Sequence, residues 1–119
     1  MDTQGSYWRY CATPHWEPSI NVSESVDAWF ICMDLAGTRR EDIDVQVQSG
    51  RLVVRGQRPI PRLDPQTEPL SLHHMEIEHG PFCRELDLPA NVDSQAITAR
   101  YKDGVLWIVL PKTIERAQP

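Results

Sequence analysis

At 119 residues the chain has the size of one domain built on one modest hydrophobic core, and a second domain is not expected. The formal net charge is −5, and the basic residues are scattered except for Arg39-Arg40, which excludes the clustered footprint of a nucleic-acid binder. Ten prolines and six glycines recur at short intervals and cut the sequence into pieces too short for ordinary helices but long enough for strands, so the class predicted is all-β.

Residues 1–18 contain Tyr7, Trp8, Tyr10 and Trp16 among small and polar residues, with no period of 2 or 3.6, and read as an arm. An arm that cannot build its own core must dock its aromatics on the domain, on another subunit or on apolar partners. Asp2, Gln4 and Arg9 stand where a signal peptide would carry an apolar run, and no stretch is long enough to span a bilayer. The three cysteines, Cys11, Cys32 and Cys83, are odd in number and far apart, which argues against a secreted disulfide framework and suits a reducing compartment. A cytoplasmic protein with no membrane partner is the expectation.

From Ile20 the pattern becomes regular. Ile20 and Val22 alternate with Ser19, Asn21 and Ser23; Trp29, Ile31 and Met33 then alternate with Phe30 and Cys32, giving a strand apolar on both faces that should be covered on both sides. Leu35-Ala36-Gly37 stops it, and Thr38 stands where it would cap one helical turn whose acidic pair, Glu41-Asp42, lies near the start. Ile43, Val45 and Val47 alternate with polar residues, Ser49-Gly50 turns, and Leu52-Val53-Val54 returns as the second arm of a hairpin. Gly56 in that second strand marks a bulge or a close backbone approach.

Pro59, Pro61, Pro65 and Pro69 exclude residues 59–72 from a central strand and leave a long excursion, of a length that is usually functional. A strand over His73 to His79 is expected next, then a hairpin turn at Gly80-Pro81. Phe82, Arg84, Leu86 and Leu88 follow on one face, with Cys83, Glu85 and Asp87 on the other. Ile97, Ala99 and Tyr101 share a face, Lys102-Asp103-Gly104 turns, and Val105 to Leu110 forms a last strand closed by Pro111. Arg84 between Phe82 and Leu86 points inward, where a charge must be paired or lie at a shared boundary, since an unpaired buried ion costs several kcal/mol.

The candidates for chemistry do not assemble. His74, Glu76 and Glu78 share one strand face, while His73 and His79 lie on the other about 20 Å apart, so at most one imidazole and two carboxylates converge and no metal site is assigned. Cys83 with His79 is the one local nucleophile and base, without an oxyanion site or a residue to orient the histidine. No catalytic residues, no enzyme activity and no cofactor are expected.

The closing segment Ala99-Arg100-Tyr101-Lys102-Asp103-Gly104-Val105-Leu106-Trp107-Ile108-Val109-Leu110-Pro111-Lys112 resembles the signature of the small heat-shock protein family, an alanine followed after three residues by Asp/Asn-Gly-Val-Leu and an alternating strand to Leu-Pro-Lys. Asp34-Leu35-Ala36-Gly37 with Glu41-Asp42-Ile43, Leu52 to Arg58, and Phe82 to Pro89 resemble three further stretches of the family in order and spacing, with Ala36 where the family has proline. The resemblance covers roughly Pro18 to Lys112. It implies a two-sheet antiparallel β-sandwich of α-crystallin, immunoglobulin-like type over residues 19–112, between the arm and a short tail, 113–119.

By the same resemblance, the protein forms a homodimer or small oligomer of the bacterial type. In it Arg62 to Leu72 pairs with the partner's Ser19 to Glu24, an interface assigned to Ile20, Val22, Leu63, Leu70, Leu72 and Arg84. The function it implies is that of an ATP-independent holdase, which binds unfolding client proteins and suppresses their aggregation under stress. Client contacts are assigned to Tyr7, Trp8, Tyr10 and Trp16 of the arm and to a groove between the sheets' edges near Val45, Val47, Leu86 and Leu88. Family members fill that groove with an I-x-I tail; Thr113 to Pro119 has no such motif, so the groove is expected to stand open to other chains. The alternative is an adaptor with the same sandwich that binds one folded partner, a class that typically lacks the excursion.

Overall fold

The computed structural model describes residues 16–62, 64, 66–68 and 71–113. Strands β1 (Ile20–Glu24) and β2 (Ala28–Asp34) form a hairpin whose turn is held by the Ser25 hydroxyl, which accepts from the N–H groups of Asp27 and Ala28 at 3.2 and 3.1 Å. A 3-10 turn, Arg40–Asp42, leads to β3 (Ile43–Gln48) and β4 (Arg51–Arg58); β5 (Gly80–Asp87), a second 3-10 turn (Ser94–Ala96), β6 (Thr98–Lys102) and β7 (Val105–Pro111) complete the order. All neighbours are antiparallel, in one sheet of order β1-β2-β7-β6 and another of order β3-β4-β5. The class and the two-sheet architecture are those the sequence predicts.

Both expected tight turns form. Ser49 and Gly50 have φ of 53° and 76°, and Asp103 and Gly104 have 54° and 78°, the paired left-handed conformations of a turn whose twist matches the strands it joins. The core lies between the sheets. Ile31 and Met33 of β2 and Leu106, Ile108 and Leu110 of β7 meet Leu52 and Val54 of β4 and Phe82 of β5. Each such side chain contributes about 1.5–3 kcal/mol on burial.

Gly56 is a close approach rather than a bulge, since its register with Ile43 and Phe82 is unbroken. A methyl group there would sit 2.1 Å from the Asp42 carbonyl oxygen and 2.7 Å from Cζ of Phe82. The Phe82 ring thus lies across β4 in the space that a side chain would take.

Four expectations are corrected. Residues 73–79 form no strand, and Gly80-Pro81 is no turn: these two pair with Arg58 and Gln57 as the opening of β5. Pro81 is tolerated because β5 is an edge strand. Thr38 does not cap the 3-10 turn; it is buried, with its N–H on the Leu35 carbonyl, and the cap position falls to Arg39, which makes no side-chain cap bond. The outer face of β2 is not fully covered, since Phe30 is 40% exposed and Trp107 beside it on β7 is 47% exposed. Finally, Cys83 is disulfide-bonded while Cys32 is free, so the cysteines are not all reduced.

The Gly56 contact yields a prediction. Gly56→Ala is expected to cost about 1–3 kcal/mol through overpacking, whereas Gln57→Ala on the exposed side of the same strand stays within about 0.5. Urea denaturation of both variants checks it; equal midpoints would show that the backbone yields at no cost.

Candidate functional site

The strand orders put β3 at one edge of the smaller sheet and β6 at one edge of the larger, each without a neighbouring strand among the described residues. A cavity of about 300 Å³ is lined from both, by Ile43 and Val45 of β3 and by Ala99, Arg100 and Tyr101 of β6, with Leu106 of β7 and Arg40. Register explains the lining. Ile43 and Val45 pair with Gly56 and Val54, and Ala99 and Tyr101 with Ile108 and Leu106, so all four side chains are on the faces turned toward the opposite sheet. Tyr101 forms a fixed wall, because its hydroxyl lies 2.8 Å from the Leu35 carbonyl oxygen and 2.7 Å from that of Thr38 and donates its proton between them.

This groove differs from the one assigned by sequence. Val45 lines it, but Leu86 is on β5 at the far edge of the small sheet, in the row Val47, Leu52, Leu86, with buried Leu52 between. Two strand spacings, about 10 Å, separate Val47 from Leu86, and Leu88 lies beyond the end of β5. The four do not form one groove. Ile43, Tyr101, Arg40 and Arg100 were missed; the alternation of Ile43 and Tyr101 is visible in the sequence, but which two edges face each other is not.

Of the arm, Tyr7, Trp8 and Tyr10 lie outside the described residues, and Trp16 belongs to the core. Its ring centroid is 5.4 Å from that of Phe82 in a tilted arrangement, its Nε1–H donates to the Gly80 carbonyl at 3.1 Å, and the Arg58 guanidinium stands 4.1 Å over its face. Arg58 also donates to the carbonyls of Glu78 and Ala36, tying the segment just before β5 and the loop after β2 to the same ring. A tryptophan so enclosed does not offer its face to a client.

The residues assigned to a dimer interface are dispersed. Val22 is 52% exposed on β1, an edge strand with no second neighbour among the described residues, Ile20 packs partly against the core, and Leu72 is 65% exposed; Leu63 and Leu70 lie outside the described residues. Arg84 is on the inward register, opposite Val54, and its Nη1 donates to the Pro18 carbonyl at 2.9 Å. It therefore ties β5 to the segment entering β1. Within the excursion the Gln66 N–H and the Thr67 hydroxyl donate to the Asp64 carboxylate and hold its pKa below the usual value.

No three His, Cys, Asp or Glu side chains gather at metal-binding distance among the described residues. His74 contacts Glu76, and Cys83 is disulfide-bonded, without a free thiolate. No helix among these residues is long and apolar enough to cross a membrane.

The family model described as Hsp20/alpha crystallin family matches residues 21–119. Heat shock protein 16 of Schizosaccharomyces pombe is 34% identical over 101 residues, 85% of this chain and 69% of its own length. Small heat shock protein C2 of Rickettsia felis is 32% identical over 96 residues, 80% of this chain and 60% of its own. Among solved structures, a small heat-shock protein from Xylella fastidiosa superposes with a TM-score of 0.76 at 28% identity, over 88% of this chain and 94% of that one. Heat shock protein 16.0 from S. pombe gives 0.72 at 33%, over 87% and 93%.

The Arg84 bond sets an expectation for stability. Arg84→Ala is expected to cost about 1.5–3 kcal/mol, the range for a hydrogen bond to a charged group, against about 0–1 for Arg100→Ala at an exposed position. Thermal melts of the two variants decide it, and equal midpoints would remove the structural role given to Arg84.

Proposed function

Because the chain belongs to the Hsp20/alpha crystallin family, we propose that it works as an ATP-independent holdase, binding segments of unfolding proteins and releasing them without catalysing a reaction. The observation that carries this reading is the β3/β6 groove, a cleft of mixed polar and apolar lining between two sheet edges that have no neighbouring strand among the described residues. An extended client segment can satisfy its backbone against such an edge while placing alternate side chains inside. Each docked aliphatic group gains about 1.5–3 kcal/mol before ordering costs, which gives contacts weak enough to reverse. Several groove contacts on one assembly then act together on one client.

The same reading includes a homodimer in which residues 62–72 add to the partner's β1. Support comes from the edge of β1 with Val22 exposed on it, and from Leu72 at the end of an excursion, neither of which has a further ladder partner among the described residues. Tyr7, Trp8 and Tyr10 remain proposed client contacts; Val45 is retained in the groove with Ile43 and Tyr101. A cytoplasmic location goes with this reading, although a reducing compartment disfavours the Cys83 disulfide.

Light scattering from a heat-aggregating client, with the protein present and ATP absent, is expected to fall as the chaperone is added; undiminished aggregation at several-fold excess would remove the holdase reading and favour an adaptor for one folded partner. Deleting residues 62–72 is expected to turn a dimer into a monomer in sedimentation. A deletion variant that dimerises with unchanged affinity would show that the excursion is not the joining strand.

A further inference from the structure

Cys83 is more buried than its place in the sheet explains. Leu52 and Val54 of β4 and Phe82 of β5 enter the core, so Val53, Arg55 and Cys83, which alternate with them, turn to the outer face of the smaller sheet. Cys83 is there on an edge strand, yet it is only 5% exposed, with Val53 diagonal to it at 2%. Arg55, its cross-strand partner, does not supply the cover, because its Nε donates to the Asp44 carboxylate on β3, on the far side of β4. The same cysteine is disulfide-bonded.

The chain has three cysteines, and Cys32 is free. Cys32 is also out of reach. It alternates with the inward Ile31 and Met33 on β2, so it faces outward from the other sheet, with the core between it and Cys83. Cys11, which lies outside the described residues, precedes Trp16 by five residues. Trp16 is bridged to Phe82, the neighbour of Cys83, at about one strand spacing of 5 Å. Five residues of chain span up to about 17 Å, enough to bring Cys11 to the Cα separation of about 4–7 Å that a disulfide needs.

We propose that Cys83 is bonded to Cys11, and that this disulfide is a redox-controlled clasp holding the aromatic arm on the outer face of the smaller sheet. The inference rests on Tyr7, Trp8 and Tyr10 being client contacts and names what regulates them. Tyr10 adjoins Cys11 and Trp8 is three residues before it, so a chain fixed at both Cys11 and Trp16 keeps these rings tied to their own domain. Opening the clasp takes a dithiol. One of its thiolates attacks a sulfur of the bond to form a mixed disulfide, and its second thiol resolves that, leaving the dithiol as its own disulfide. Two electrons and two protons pass to Cys11 and Cys83, which become thiols. A reducing compartment thus keeps the arm available to clients, and oxidation withdraws it.

The test begins with the air-oxidised full chain, alkylated in guanidinium chloride without reductant and read by intact mass. Cys32 alone is expected to be labelled; Cys11→Ser should expose Cys83 to label as well, and Cys32→Ser should take none. Labelling of all the cysteines, a doubled mass, or a Cys83 that stays unlabelled in Cys11→Ser would overturn the pairing. Tryptic cleavage after Arg9 is expected to quicken about tenfold when dithiothreitol is added, and to be fast with or without it in Cys11→Ser. A rate that ignores the reductant would overturn the clasp. With a cysteine-free, heat-aggregating client, half-suppression is expected at about threefold less of the reduced than of the oxidised protein, and Cys11→Ser should match the reduced form in both conditions. Suppression that does not respond to dithiothreitol overturns the regulation and leaves the holdase. Absence of suppression in both states removes the holdase, and labelling with Arg9 cleavage then still decides the clasp.

Discussion

A missing side chain sets the geometry around which this sandwich closes. With no Cβ at Gly56, the Asp42 carbonyl and the Phe82 ring can both close on the space beside β4 that a side chain would take. Phe82 in that position presents its own ring to Trp16, which forms an isolated bridge with it and hydrogen-bonds to Gly80. Arg58 then closes over Trp16 and donates to the carbonyls of Ala36 and Glu78, so one glycine fixes the entry segment, the loop after β2 and the segment just before β5. A larger residue at Gly56 would displace the ring on which the other three contacts depend.

The same cluster shows how the fold treats its sheet edges. Residues 16–18 lie against β5, through the Trp16 bridge at one end and the Arg84 bond to Pro18 at the other, before the chain crosses to begin β1 in the other sheet. That edge is occupied from within, and Pro81 removes one of its donors. The edges of β1, β3 and β6 have no neighbouring strand among the described residues, and the last two border the groove. An unpaired edge is a hazard in a protein that must avoid other chains and a means of attachment in one that must bind them. Their retention here therefore agrees with a binding role, whichever partner takes each.

Most of the fold was legible because its signals are local. Alternation over Ile43 to Val47, the Ser49-Gly50 and Asp103-Gly104 turns, and the inward register of Arg84 all follow from period 2 and turn chemistry, and all are present. The error at His73 to His79 arose from the same rule: Met75 and Ile77 alternate with glutamates as a strand would, yet β4 takes Gly80 to Asp87 as its partner and leaves the preceding residues without a ladder. Alternation shows that a segment can be a strand, and only a neighbour makes it one. The groove failed for a related reason. Val47 and Leu86 do share a face, but the sheet inserts β4 between their strands, and strand order is a tertiary fact with no local mark.

The way β7 ends sets Lys112 and Thr113 at a distance from the groove. Leu106 lines the groove near the start of that strand, and Lys112 lies six residues on, about 20 Å away at the strand rise. Lys112 is fixed there: its Nζ is 2.6 Å from the Glu24 carboxylate and 5.7 Å over the Trp29 ring, and its N–H donates to the Asp27 carbonyl at 2.9 Å. Trp29 is held in turn by Asn91, whose carbonyl accepts the Thr113 N–H at 2.8 Å. These contacts anchor the end of β7 beside the β1–β2 turn. A following segment would have to double back along the whole strand to fill its own groove, with an ordering cost of about 1–2 kcal/mol per residue, whereas a segment of another molecule approaches it directly.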